Sequence, residues 1–471
     1  MYWLIIKNEW QYWRRSQLVL ASTLLFLLLI ATTSLFNLSR MHDEQHLRSE
    51  QQATAEQTFL AQPDRHPHRM VHYGHYVFRT PSPLAVFDPG LDPVTGQAIF
   101  LEGHRQNTAT FTEASASPAL GGLALTPARV YQYFAPLLII LVGYTLIARE
   151  REAGTLIPLL ATVRPRQLVL GKTLALLSYT TLLLVPLLLL SFLVQVRLLD
   201  WLSVMASYWL FLSIWVLLTS LVTLVKPQAT VVLALLAGLW LSMSLVVPAI
   251  AINIVAALEP PASKLLNDIV LNADLRQLGD GHNAKDAAFN QLRDEVLAQY
   301  QVERIEDLPI NYRGLVAVTA ERDLTALLNQ YAQARFDHEQ QQRQRIAQFG
   351  WLSPTLAISF ASRTLAATDL DHYHRFQQQA EAIRFDFVQG LNQAHVDQLS
   401  YQDDINRNNS VAAGLRARVD AGNWQVLDQY TFQPVSLAER LTHAQLPLRM
   451  LLAWLMGISL GLIVLAPRLQ P

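Results

Sequence analysis

Arg149, Glu150, Arg151, Glu152, Ala153, Gly154 and Thr155 form a compact charged island between two long apolar runs, and Arg164-Pro165-Arg166 and Gly171-Lys172 follow closely. Acidic groups at a helix start complement the positive end of its dipole, and basic groups near its close complement the negative end. Glu150, Glu152 and Thr155 therefore predict the start of a helix that Arg164 and Arg166 close. On it Leu156, Leu159 and Leu160 share a face suited to a groove on a partner. The bland alternative is a charged loop that only sets topology. Basic residues serve that purpose, but Glu-x-Gly-Thr is not needed for it.

Other residues offer chemistry that their spacing does not support. Gly171-Lys172-Thr173 matches the end of a phosphate-binding loop, yet Arg166 stands where that loop needs glycine and no strand precedes it. His66, His68, His72 and His75 are weak metal candidates, with His372 and His374 as another pair. Imidazoles suit zinc or copper, but the irregular spacing and Pro67 define no ligand geometry, so no metal site is expected. Asp88, Glu102 and His104 lack a nucleophile elbow or a His-Glu-x-x-His helix, so no catalytic residues are expected either. The absence of cysteine removes disulfides and thiolate ligands.

The elements that must carry the island are membrane helices. Runs of about 20 apolar residues, enough to cross a hydrocarbon core, occur at 18–38, 130–148, 174–196, 201–225, 229–258 and 448–466, with Arg449 at the rim of the last. Backbone groups find no water in lipid, so these runs are expected to be helical. Lys7, Arg14, Arg15, the island's arginines, Lys172, Lys226 and Arg468 all fall on one side, which predicts two cytoplasmic termini. The formal charge of −1 gives no hint of nucleic-acid binding. Residues 1–17 mix tryptophan, tyrosine, lysine and arginine, as in a helix lying on the inner leaflet. The cytoplasmic coupling region is 149–173.

Two long external segments remain, 39–129 and 259–447. Met41 to Leu60 continues the first span outward. Helical periodicity marks Lys285 to Tyr300, Glu321 to Phe349 and Phe376 to Leu391, whereas the prolines and glycines of Tyr76 to Phe111 suit short strands and turns. The expected fold is an all-α polytopic membrane protein of six transmembrane helices, with a large and mostly helical external domain containing a small β- and turn-rich part.

The island, its leucine-rich turn, the basic pair and Gly171-Lys172 closely resemble the segment after the second span of six-span, type V exporter-like permeases of the ABC class. That resemblance implies a coupling helix touching a separate ATPase subunit, with Glu150, Glu152, Gly154, Thr155, Leu156, Leu159, Arg164, Arg166 and Lys172 as coupling residues. It implies no cofactor in this chain, ATP and magnesium being bound by the ATPase. Pairing with a second permease, a homodimer or heterodimer in the bacterial inner membrane, follows from it as well. Phe87-Asp88-Pro89-Gly90, Glu102 to Asn107, Leu352-Ser353-Pro354, Ala366 to Asp369 and His374-Arg375-Phe376 look like a bacterial subfamily with a large periplasmic domain, similar in layout to the permease of nitrous-oxide-reductase maturation. The competing expectation is a non-transporting scaffold or sensor that binds a periplasmic partner.

Lack of native cysteine makes the topology directly testable. Single cysteines at Ser49, Ser115, Ser203 and Ser400 are expected to react with an impermeant thiol reagent applied from outside the inner membrane, and cysteines at Thr155 and Gln228 are not. Labelling of Thr155→Cys in sealed, oriented vesicles contradicts the assignment.

Overall fold

The computed structural model describes residues 1–106, 125–260, 263–425, 427 and 430–469. Within it the protein is an all-α polytopic fold, with six helices long and apolar enough to cross a membrane: Gln17–Leu60, Pro127–Glu152, Pro165–Leu193, Leu198–Val225, Ala229–Leu258 and Gln445–Arg468. They are called spans 1 to 6 in chain order. In spans 2 and 4, 67% of the apolar window is buried, against 17% in span 5 and 22% in span 1, so spans 2 and 4 form the centre and spans 1 and 5 turn apolar surface outward.

A separate helix, Tyr2–Arg15, precedes span 1 and ends at Ser16, whose extended backbone breaks the run and whose hydroxyl accepts from Val19 N at 3.4 Å. Span 1 then runs unbroken for 44 residues, about 66 Å at 1.5 Å per residue. It is far longer than a bilayer core requires and carries the chain into the external domain.

Proline shapes three of the spans. It lacks an N–H and clashes with the preceding turn, so the helix must widen or break beside it. Span 2 widens into a π-turn at Val130–Phe134 before Pro136, and span 5 does so at Ser242–Val246 before Pro248. Span 3 is interrupted between Leu182 and Val185, beside Pro186.

The external domain draws on both long segments. Its core joins Phe59, Met70, Val77, Ile99 and Leu101 from the first to Phe376, Phe387, Leu391 and Trp424 from the second. Helices Tyr312–Gln348 and Leu370–Gln398 pack along one another, and the only sheet among the described residues is an antiparallel hairpin of His75–Phe78 with Ala98–Leu101. The long helix starts at Tyr312 and not at Glu321, because the Asn311 side chain accepts from the amides of Arg313 and Gly314 and fixes the start there. The expected helix at Lys285 opens as a 3-10 turn, Ala287–Phe289, before Asn290–Tyr300. Tyr300 is exposed and leaves the predicted apolar face. Residues 107–111 of the turn-rich stretch, Asn107 among them, and Ser115 lie outside the described residues.

One element went unread in the sequence. Pro354–Ala366, too short to cross a bilayer, is a core helix wedged between spans 4 and 6, with Ala357, Ile358, Ala361 and Leu365 fully buried. Around it the external domain is bolted to the spans. Gln132 donates to Tyr208 at 2.8 Å, Tyr208 to Ser362 at 3.0 Å, and Ser362 to the Asp88 carboxylate at 2.5 Å. Phe87 meets the Tyr208 ring edge-on at 4.9 Å, and Arg440 reaches Asp200 at 2.7 Å.

The helix crossing in the external domain predicts a contrast between two glycines. A Cβ on Gly314 would lie 2.6 Å from the Val396 backbone nitrogen, whereas one on Gly390 would meet nothing within 4 Å. Gly314→Ala should destabilise by about 1–3 kcal/mol through overpacking. Gly390→Ala, at an open helical position, should stabilise by about 1 kcal/mol. Thermal melting of the purified protein in detergent checks both signs.

Candidate functional site

At the span ends opposite the external domain, the charged island is knotted into the protein. Glu9, on the N-terminal helix, is wholly buried, and a buried carboxylate is costly without opposite charge. Lys172 of span 3 answers it at 2.5 Å and Arg149 at 2.8 Å. Glu150 closes the ring, 2.9 Å from Lys172 and 3.1 Å from Arg149, so two carboxylates face two cations. The Arg149 guanidinium also lies over the Tyr12 ring at 3.8 Å, which fastens the N-terminal helix a second time.

The next two residues cap neighbouring spans. Arg151 donates to the carbonyls of Thr223, Leu224 and Lys226, groups left without helical partners at the end of span 4. Glu152 accepts from Ala229 N at 2.8 Å, at the positive start of span 5. Four consecutive residues thus hold the N-terminal helix and spans 3, 4 and 5 to the end of span 2. Gly154, with φ of +71°, then reverses the chain into the short helix Leu156–Thr162. Thr155 donates to the Glu150 carboxylate at 2.5 Å and ties that turn to the clamp.

Several expected roles change with this geometry. Glu150 and Glu152 lie in Ala148–Glu152, the last turns of span 2, and do not begin the following helix. Arg164 and Arg166 stand at the start of span 3 and do not close the short helix, because the chain becomes extended at Val163. The leucine face turns inward: Leu156 is buried with Ile147, Val163, Leu168, Leu224 and Leu462, and Leu159 and Leu160 pack against that cluster. Lys172, buried in its ion pairs, offers no surface to another chain. The outward strip is Ile157, Pro158, Ala161 and Thr162, continued by Arg164 and Arg166.

The external histidines divide into unrelated places. His75 packs against Phe59 at 4.6 Å, and burial lowers its pKa to about 4. His66 joins His395 on the Asp404 carboxylate, at 3.0 and 2.9 Å. His68 and His72 instead meet His104 and His282, a group that no local spacing could announce because His282 comes from the second external segment. His374 bonds Glu339 at 2.6 Å while His372 is buried elsewhere against Phe432, so they make no ligand pair. Asp88 sits at the junction with the spans, away from His104, which bonds Glu321.

The clamp predicts a large penalty for half a pair. Lys172→Met should destabilise by about 3–5 kcal/mol, since Glu9 and Glu150 then share a single cation. Adding Glu9→Gln should restore much of that loss. A double-mutant cycle read by thermal melting measures the coupling, and additive effects contradict the clamp.

The match to known families lies between spans 5 and 6. A family described as a domain of unknown function (DUF3526) matches residues 269–433, which contain the two long paired helices and exclude every span and the island. No curated protein matches the chain.

Proposed function

We propose that this chain is the permease subunit of an ATP-driven ABC-type exporter or mechanotransmission complex. It sits in the bacterial inner membrane with both termini cytoplasmic and works as a dimer with a second copy or a sister permease. Separate ATPase subunits hold ATP and magnesium and perform the hydrolysis. The observation that carries this reading is the pairing of an exposed strip, Ile157 to Thr162, with the clamp directly behind it. A force on the strip passes through the Gly154 turn and the Thr155 to Glu150 bond into Lys172, Arg149 and Glu9.

From there the spans carry the motion. Arg151 and Glu152 engage the ends of spans 4 and 5, and span 4 meets the external domain through Tyr208, Ser362 and Asp88 and through Asp200 and Arg440. Motion at one end of the bundle has a packed route to the other, and close-packed elements shift as bodies because they do not deform smoothly. The polar residues buried in the middle of the spans, such as Ser213, Thr219, Ser220 and Ser244, are uncharged, which favours a lipophilic cargo, a peptide or a mechanical output over ion conduction.

The strip is separable from the clamp by mutation. Ile157 is 64% exposed, so Ile157→Glu should leave insertion and melting unchanged while reducing ATPase co-purification and ATPase stimulation at least tenfold. Glu152→Lys, which removes the cap on span 5, should instead retain ATPase binding and lose stimulation. An Ile157→Glu protein that binds and stimulates its ATPase normally contradicts the docking surface.

A further inference from the structure

Four imidazoles from three distant stretches converge on one point of the external domain. His68 and His72 stand one helical turn apart on the short helix Pro67–Val71 and its cap. His104 follows the second strand of the hairpin, where Gly103 N bonds the Val71 carbonyl at 3.0 Å and draws the turn onto that helix. His282 arrives on the loop before Ala287–Phe289, its amide held by the Asp280 carboxylate at 2.9 Å. Ring centroids are 4.7 Å apart for His68 and His72, 4.8 Å for His68 and His282, 4.8 Å for His104 and His282, and 5.2 Å for His72 and His104. One ring nitrogen from each of His68, His72 and His282 lies within 4.8 Å of the others.

Three of these rings make no hydrogen bond among the described residues, and the fourth keeps one nitrogen without a partner. Among the described residues no hydrogen bond reaches a ring nitrogen of His68, His72 or His282, and His104 Nε2 is buried without a partner. The outer side of His104 is prepared. Its Nδ1 bonds the fully buried Glu321 carboxylate at 2.8 Å, which in turn is held by Arg384 at 2.6 Å and by Thr325. A carboxylate acceptor on Nδ1 leaves the lone pair on Nε2, the arrangement that orients metal-binding histidines. His104 also keeps a left-handed backbone, φ of +65°, which a residue with a side chain rarely holds without a constraint.

We propose that His68, His72, His104 and His282 bind one divalent late transition metal ion, with Glu321 positioning His104. Four neutral nitrogen donors without thiolate suit zinc, copper or nickel far better than calcium or magnesium. Zinc with nitrogen ligands at about 2.05 Å needs them about 3.4 Å apart in a tetrahedron, so the side chains close in by roughly an ångström, within rotamer freedom for His72 and His282 on the surface.

The neighbouring group of His66, His395 and Asp404 does not compete. Its carboxylate already takes both histidines together with Arg407 and Arg313, and two arginines repel a cation. The consequence of metal binding lies in the connectivity. The ion would join the first external segment to the loop at 279–286 and, through Glu321, to the long helix, so it would set the stiffness of the domain that span motions must displace.

The test uses full-length protein in detergent, purified on a histidine-free tag and stripped with chelator. Titration with zinc should load one ion per chain. His72→Ala and His282→Ala, both at exposed positions, should weaken binding at least 100-fold without changing the melting temperature in chelator. Glu321→Gln should weaken it about 10–100-fold, and His46→Ala, on an exposed turn of span 1, should have no effect. Cobalt in place of zinc should give the intense visible absorption of a tetrahedral nitrogen site. No zinc above background, affinity unchanged in both alanine variants, or a weak octahedral cobalt spectrum would each overturn the assignment.

Discussion

A single buried carboxylate organises one end of this protein. Glu9 is wholly buried, where a carboxylate is costly without close cations, and the two that answer it come from different spans, Arg149 from span 2 and Lys172 from span 3. Bringing both cations onto one oxygen of that group holds the N-terminal helix against span 3, places Glu150 where it can share Lys172, and leaves Arg151 and Glu152 aimed at the ends of spans 4 and 5. Isolated ion pairs of this kind add little stability over an apolar alternative. Their value lies in registry, because each span end is held to a common point and none can slide alone.

The opposite end is held by different means. The helix Pro354–Ala366 buries small apolar side chains between spans 4 and 6, and a short polar chain from Gln132 to Asp88 crosses the same junction. Two stiff attachments, one ionic and one packed, bracket the central spans 2 and 4. The external domain therefore sits on the most buried helices of the bundle, and the proposed transmission needs no flexible linker.

Much of this architecture could be read from the residues. Apolar runs located the spans, and the 44-residue first helix was foreshadowed by continuous helical pattern past Met41. The domain core followed from Phe376, Ala380, Phe387 and Leu391 at helical spacing. What escaped was whatever depended on contact between distant segments. Glu9 carries no local mark distinguishing it from a solvated acid, Pro354–Ala366 is too short to register as a span, and His282 lies far from His72 in the chain. The island was recognised for its pattern, but its charges proved to be internal fastenings and its leucines internal packing, since helical periodicity identifies an apolar face without saying what covers it.

The proposed coupling between the two ends can be measured as a distance. Spin labels at Ala161, on the exposed strip, and at Ser400, in the external domain, report the separation of the two ends within one chain of the reconstituted complex. Trapping the ATPase in its closed, nucleotide-bound state should shift that distance distribution by several ångströms, and Lys172→Met should abolish the shift while the ATPase stays bound. An identical distribution in the open and trapped states would contradict the account.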